Sequence, residues 1–138
     1  MSTIVGETDL ARLLAGLAPA LAPQPRAIRT QAHDALVPAD ALLLFREDEG
    51  TTVIVPAVDN DDDDGEGDDA PQWAQITLRI HSSLDAVGMM AAISAALAEA
   101  GIPCNVVSAY YHDHLFVPWA RRDDAMAALH ALAAGGRA

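Results

Sequence analysis

QWAQITLRIHSSLDAVGMMAAISAALAEAGIPCNVVSAYYHDHLFVPW, residues 72–119, is the stretch around which the rest of the chain is arranged. Its first segment, 73–80, alternates. Ile76, Leu78 and Ile80 fall on one side and Gln75, Thr77 and Arg79 on the other, the two-residue period of a half-buried strand. Residues 84–100 are rich in alanine and leucine and lack proline, and they predict a helix whose one glycine, Gly88, sits near its start. Residues 105–111 and 114–119 are β-branched and aromatic runs on either side of a polar turn at His112 and Asp113, and they predict two further strands. A second helical stretch, 123–134, follows at once.

Strand, helix, strand, strand, helix is most of a βαββαβ unit. The fold class expected is therefore α+β and ferredoxin-like, with two helices covering one face of an antiparallel sheet. The ends of the first helix are legible. Ser82 or Ser83 can cap it, and Asp85 stands three residues after Ser82, at the capping-box position where Glu or Gln is usual, and where the helix dipole favours an acid. Gly101 suits a left-handed residue just past the C-cap, and Pro103 prevents continuation. Leu84, Val87, Ala91 and Ser94 lie on one stripe, with Met90, Ile93, Leu97 and Ala100 beside it, and so many alanines imply a helix lying close on its sheet.

Working outward to the N-terminal side, Thr8 is a candidate N-cap for a helix carrying Leu10, Leu13, Leu14 and Leu17 at helical spacing, ended by Pro19. Residues 26–31 (RAIRTQ) predict a strand and 33–40 a loop. The runs 41–46 (ALLLFR) and 51–58 (TTVIVPAV) flank Glu47-Asp48-Glu49-Gly50, a hairpin connection whose closing glycine is expected at positive φ. Helix, strand, strand, strand reads as a βαββ unit with pieces missing or displaced.

At 138 residues and 51% apolar, the chain can build a modest core. Its net charge of −12 is local. Asp59, Asp61, Asp62, Asp63, Asp64, Glu66, Asp68 and Asp69 hold eight of the twenty acids, and without them twelve acids face eight bases, a balance of −4. Residues 58–71 are accordingly expected to be a solvated acidic linker. Asp62, Asp64 and Gly65 match three positions of a calcium loop, but Asn60 opens it and Pro71 replaces the bidentate glutamate, so no calcium site is expected. No basic patch points to nucleic acid. The lone Cys104 fits a reducing compartment, and with neither a signal-like N-terminus nor a membrane-length apolar run, the expected location is the cytoplasm.

The densest polar cluster is Tyr110-Tyr111-His112-Asp113-His114. Two histidines and a carboxylate are zinc-ligand types, but spacing places no fourth ligand among His33, His81 and His130. The reading taken is a tight turn in which Asp113 bonds local amides. Cys104 has no neighbouring base and reads as a small buried hydrophobe. Trp73 and Trp119 are expected at the sheet edge. No nucleophile-and-base pattern is present, so an enzyme is not expected. The loop His81-Ser82-Ser83-Leu84, continuing to Val87-Gly88-Met89, remains. Amides at a helix N-terminus can hold a carboxylate or phosphate, and Gly88 in the first turns would let it approach; alternatively Ser82 merely caps its own helix and Gly88 packs.

These residues carry a resemblance. Residues 45–56 (FREDEGTTVIVP), HSSL, AVG and NVVSAYYHDHLFVP resemble the ACT domain, a small module that binds amino acids beside metabolic enzymes. The layout is similar to small bacterial tandem-ACT proteins and to the ACT-repeat arginine sensors of animals, over roughly 41–132. The resemblance implies two tandem ACT-like repeats, the first incomplete or permuted: 1–57, a linker at 58–71, and 72–138. It implies a non-catalytic regulatory protein, no cofactor or metal, an amino acid as ligand and a homodimer as assembly. The rival is a purely structural dimerisation or interaction module. The ligand's main-chain groups would sit on Ser82, Ser83, Leu84, Ala86, Val87 and Gly88. A wall from a neighbouring repeat or subunit would be Asn105, Val106, Val107 and Ser108.

Overall fold

The computed structural model describes residues 9–57, 71–81 and 87–135. The elements run α1 (Leu10–Ala15), β1 (Pro19–Leu21), β2 (Arg26–Gln31), β3 (Leu43–Arg46), β4 (Thr51–Pro56), β5 (Trp73–Leu78), α2 (Met89–Glu99), β6 (Asn105–Ser108), β7 (Asp113–Pro118), a 3₁₀ turn (Trp119–Arg121) and α3 (Arg122–Ala133). All strand pairs are antiparallel. They form one sheet in the order β3-β4-β2-β5-β7-β6, with β1 also paired to β5. The expected α+β, ferredoxin-like class of tandem repeats is the one found.

The alternation read in 73–80 positions the core. Ala74, Ile76 and Leu78 point to one side and are fully buried, joined by Leu115 and Val117 from the neighbouring β7. On α2 the buried stripe is Met89, Ile93 and Leu97, with Met90 beside it. Ala91 and Ser94, on the stripe named first, are exposed, as is Ala100 beside it. On α3, Ala125 and Leu129 close the same core. The C-terminus of α2 ends as a Schellman motif. Gly101 takes φ 73°, its N–H bonds Ala98 O at 2.9 Å, and Ile102 N–H bonds Leu97 O at 2.9 Å, while the Ile102 side chain is buried in the core.

Both halves repeat one arrangement. In β5, β6 and β7 the third strand lies between the first and the second, and in β2, β3 and β4 it does so again. A βαββαβ sheet needs a fourth strand beside the first. In the C-terminal unit β1 takes that place, with Pro19, Ala20 and Leu21 opposite Leu78, Thr77 and Ile76. Its helix comes too: Leu13 and Leu17 are fully buried in the core of β5, α2, β7 and α3. The N-terminal αβ segment thus completes the C-terminal unit, which is why the first half read as a unit with displaced pieces. In the first unit, residues 32–42 between β2 and β3 hold no helix, and Ala27, Val53 and Val55 are packed by Ala41 and Ala57. The two three-strand sets meet at one register pair, Arg26 opposite Trp73, while Ala22 N–H to Gln75 O at 2.9 Å extends the β1–β5 pairing.

Several local expectations are corrected. Asp9, not Thr8, caps α1, accepting Arg12 N–H at 3.1 Å. Pro19 does not merely end a helix but opens β1, entered through Ala18 at φ 48°. Gly50 does not take positive φ; a Cβ there would lie 2.9 Å from Thr30 Oγ1 and 3.0 Å from Gln31 O, so close approach is what demands glycine. The β6–β7 turn spans 109–112, closed by Ala109 N–H to His112 O at 3.0 Å, and Asp113 is the first residue of β7, opposite Leu78 and Ser108. Trp73 is not at an edge but in mid-sheet, between β2 and β7. The expected linker at 58–71 and its Asp62, Asp64 and Gly65 fall, except for Pro71, outside the described residues.

Candidate functional site

Helix α2 starts at Met89, so Gly88 is its N-cap and not a residue of its first turns. Gly88 has φ 94°, a conformation that L side chains rarely adopt. Among the described residues a Cβ built there would meet only Leu10, with Cδ2 at 3.5 Å and Cδ1 at 3.8 Å, so the backbone conformation reserves the position for glycine. Among the described residues no side chain caps the helix. Val87 beside it is largely exposed. Ser82, Ser83, Leu84 and Ala86, expected to hold the ligand's main-chain groups, lie outside the described residues, as does Asp85.

β5 ends and β7 begins where α2 starts, so that end of the sheet carries the turn 109–112. Tyr110 and Tyr111 are exposed there, their rings edge to face at 5.0 Å, and His112 Nδ1 lies 3.4 Å from Ile80 O. The four expected wall residues are spread over both ends of β6 and both faces of the sheet. Ser108 closes β6 at this end, opposite Asp113, and Asn105 opens it at the other, opposite Phe116. Alternation further divides them: Asn105 and Val107 share the helix-free face with Phe116 and His114, whereas Val106 and Ser108 share the helix-covered side of Leu115. Asn105 is therefore not brought beside Val87 and Gly88 within one chain.

The helix-free face carries a polar row that sequence reading did not single out. Arg26 Nε–H donates to Gln75 Oε1 at 2.9 Å. That donor fixes the Gln75 amide, because Oε1 must face Arg26 and the NH₂ must face away. The NH₂ lies 3.2 Å from His114 Nδ1 and 3.3 Å from Thr77 Oγ1, and Thr77 Oγ1 lies 2.9 Å from the same Nδ1. An amide nitrogen only donates, so Nδ1 accepts and the neutral His114 carries its proton on Nε2. Burial first, then the neighbouring His112, lowers the His114 pKa below 6.5, against the pull of Asp113. Burial also lowers Arg26 from its ordinary value. The signal for this row was present in the sequence, as Gln75 and Thr77 on the non-core side of an alternating strand. Arg26 was not identifiable, since its register with Trp73 is a tertiary fact.

Cys104 is half-buried, and burial pushes its thiol up to about 11, a poor nucleophile. Among the described residues no three His, Cys, Asp or Glu side chains converge as metal ligands, and no helix is long and apolar enough to cross a membrane.

Two family models, both described as ACT domain, match the chain at residues 72–131 and 5–66. A protein of unknown function from Vibrio cholerae, described as a possible transport protein, is 33% identical over 86% of this chain and 92% of its own, with a TM-score of 0.68. A protein from Agobacterium tumefaciens, 19% identical over 80% of this chain and 84% of its own, shares the fold at a TM-score of 0.59. No curated protein matches the chain. With β2, β4 and β3 repeating the arrangement of β5, β7 and β6, and an ACT domain matched over each set, the chain belongs to the ACT-domain family as two repeats in tandem.

Proposed function

We propose that this protein is a non-catalytic regulatory module that binds an amino acid, and that it does so in the cytoplasm as a homodimer. ACT domains are generally regulatory ligand-binding modules that often dimerise. The observation that carries the reading to this chain is the start of α2, where Gly88 in a left-handed conformation leads into a helix with no capping side chain among the described residues. Uncapped first-turn amides at the positive end of a helix suit a carboxylate. In this reading Ser82, Ser83, Leu84, Ala86, Val87 and Gly88 hold the main-chain groups of the ligand. Asn105, Val106, Val107 and Ser108 of another repeat or subunit form the wall, which agrees with the separation of Asn105 from Gly88 within one chain. In sequence the repeats are 1–57 and 72–138, linked by 58–71, with the αβ segment of the first folded into the second.

The second reading, a dimerisation module without ligand, is favoured by one feature. β3 is an edge strand whose Phe45 is 64% exposed, with Leu42 exposed beside it. A thermal-shift screen across the twenty amino acids separates the two. A ligand at a hundred times its Kd stabilises by about 2.7 kcal/mol, several degrees for a chain of this length. No shift with any amino acid, together with a dimer by light scattering, would leave the second reading standing and end the first.

A further inference from the structure

We propose that the helix-free face of the sheet holds a second site, for a small carboxylate that carries no ammonium group, centred on Arg26 with Gln75 and His114 beside it. Arg26 is half-buried where the two strand sets meet, flanked in register by Pro56 of β4 and Trp73 of β5. Its one hydrogen bond uses Nε, so both terminal nitrogens are uncommitted among the described residues, and none of those residues pairs it with a carboxylate. A guanidinium held by Nε presents a planar donor fork of the kind that matches a carboxylate. Burial works against its charge. An anion brought to it would offset that cost.

The rest of the row sets the ligand class. Gln75 spends its amide on Arg26, Thr77 and His114, and the neutral His114 keeps Nε2–H as a further donor. Asp113, the acid next to His114, falls on the opposite side of β7 by alternation. Among the described residues the row therefore offers one cation and neutral donors, but no acid for an ammonium group. One positive charge matches a monoanion. An amino acid would bring an unpaired cation to a half-buried face, which is why this site is distinct in ligand from the one proposed above.

The test is a titration of the full chain, labelled with ¹⁵N-arginine, following the Nε–H signal of Arg26. The probes are pyruvate, alanine (a carboxylate of the same length with an ammonium group) and sodium chloride at equal ionic strength. A saturable pyruvate shift at Arg26, at least ten-fold weaker with alanine, is expected. Read by isothermal titration calorimetry, Arg26→Gln should weaken pyruvate binding at least ten-fold, and Arg29→Gln, on the other side of β2, should not. A pyruvate response equal to that of chloride or alanine would overturn the proposal, and that comparison needs no variant. The acidic stretch leaves and rejoins the sheet near Pro56 and Trp73, both in register with Arg26. If replacing its eight acids by Asn and Gln moves the Arg26 signal with no probe present, the occupant is the chain's own carboxylates and the proposal fails.

Discussion

Truncating Leu13 to alanine tests whether the N-terminal αβ segment is part of the C-terminal core. Six-residue α1 is far too short to be stable alone, so its formation must come from packing. Leu13 is fully buried among β5, α2 and α3 residues, whereas Leu10, one turn earlier, is 40% exposed. Leu→Ala removes three carbons, about 2.4 kcal/mol of transfer at ~0.8 per methylene. The cavity left behind brings the expected loss to about 2–5 kcal/mol. Leu10→Ala, on a half-wet surface, should cost on the order of 1 kcal/mol or less. Alanine is the better helix former, so propensity cannot produce a loss at either site. Urea denaturation gives both values, and the Leu13 variant should melt about 10 °C or more below the parent. Amide exchange should quicken at Ile76, Thr77 and Leu78, which face β1. Equal losses at the two sites, with protection of β5 unchanged, would refute the placement.

His114 should make stability fall in acid. Its folded pKa is lowered, so its contribution is whole above the unfolded value near 6.5 and is lost as pH falls through the folded pKa. A proton on Nδ1 would face the Gln75 NH₂, and His114→Gln should flatten the slope of unfolding free energy against pH below 6.5. Cys104, raised from about 9 to about 11, should react with iodoacetamide at pH 8 about 100-fold more slowly when folded than in urea, from thiolate fraction alone. Equal rates would show that the thiol is not desolvated. Gly88→Ala should cost about 1–2 kcal/mol in urea denaturation through its φ of 94°, with Gly88→Val worse. A neutral Gly88→Ala would mean that the N-cap is not left-handed.

Local patterns were legible in the sequence wherever one face of an element was buried. The alternation at 73–80, the stop at Gly101 and Pro103, and the hairpin around residues 47–50 all report a residue's own neighbours. What was not legible depended on distant strands. Nothing in Pro19-Ala20-Leu21 says that this short run will fill the fourth place beside β5, because its partners Ile76, Thr77 and Leu78 are more than fifty positions away. Tyr110 and Tyr111 are strand-forming residue types that hide the start of the turn after β6, yet here they stand exposed at its tip. Gly88 lies within an apolar run whose pattern is helical, whereas its positive φ is a property of the loop entering α2. Of the candidate site, Gly88 was identified but not its conformation, and the row from Arg26 to His114 was not identified, since register across β2, β5 and β7 creates it.

The central claim, that this tandem ACT protein is a receptor for an amino acid, is met most directly by isothermal titration calorimetry of the intact chain with each of the twenty amino acids near neutral pH. The account predicts a saturable isotherm for one or a few of them, with no more than two molecules bound per chain because there are two repeats. Heats of dilution alone for all twenty would contradict it.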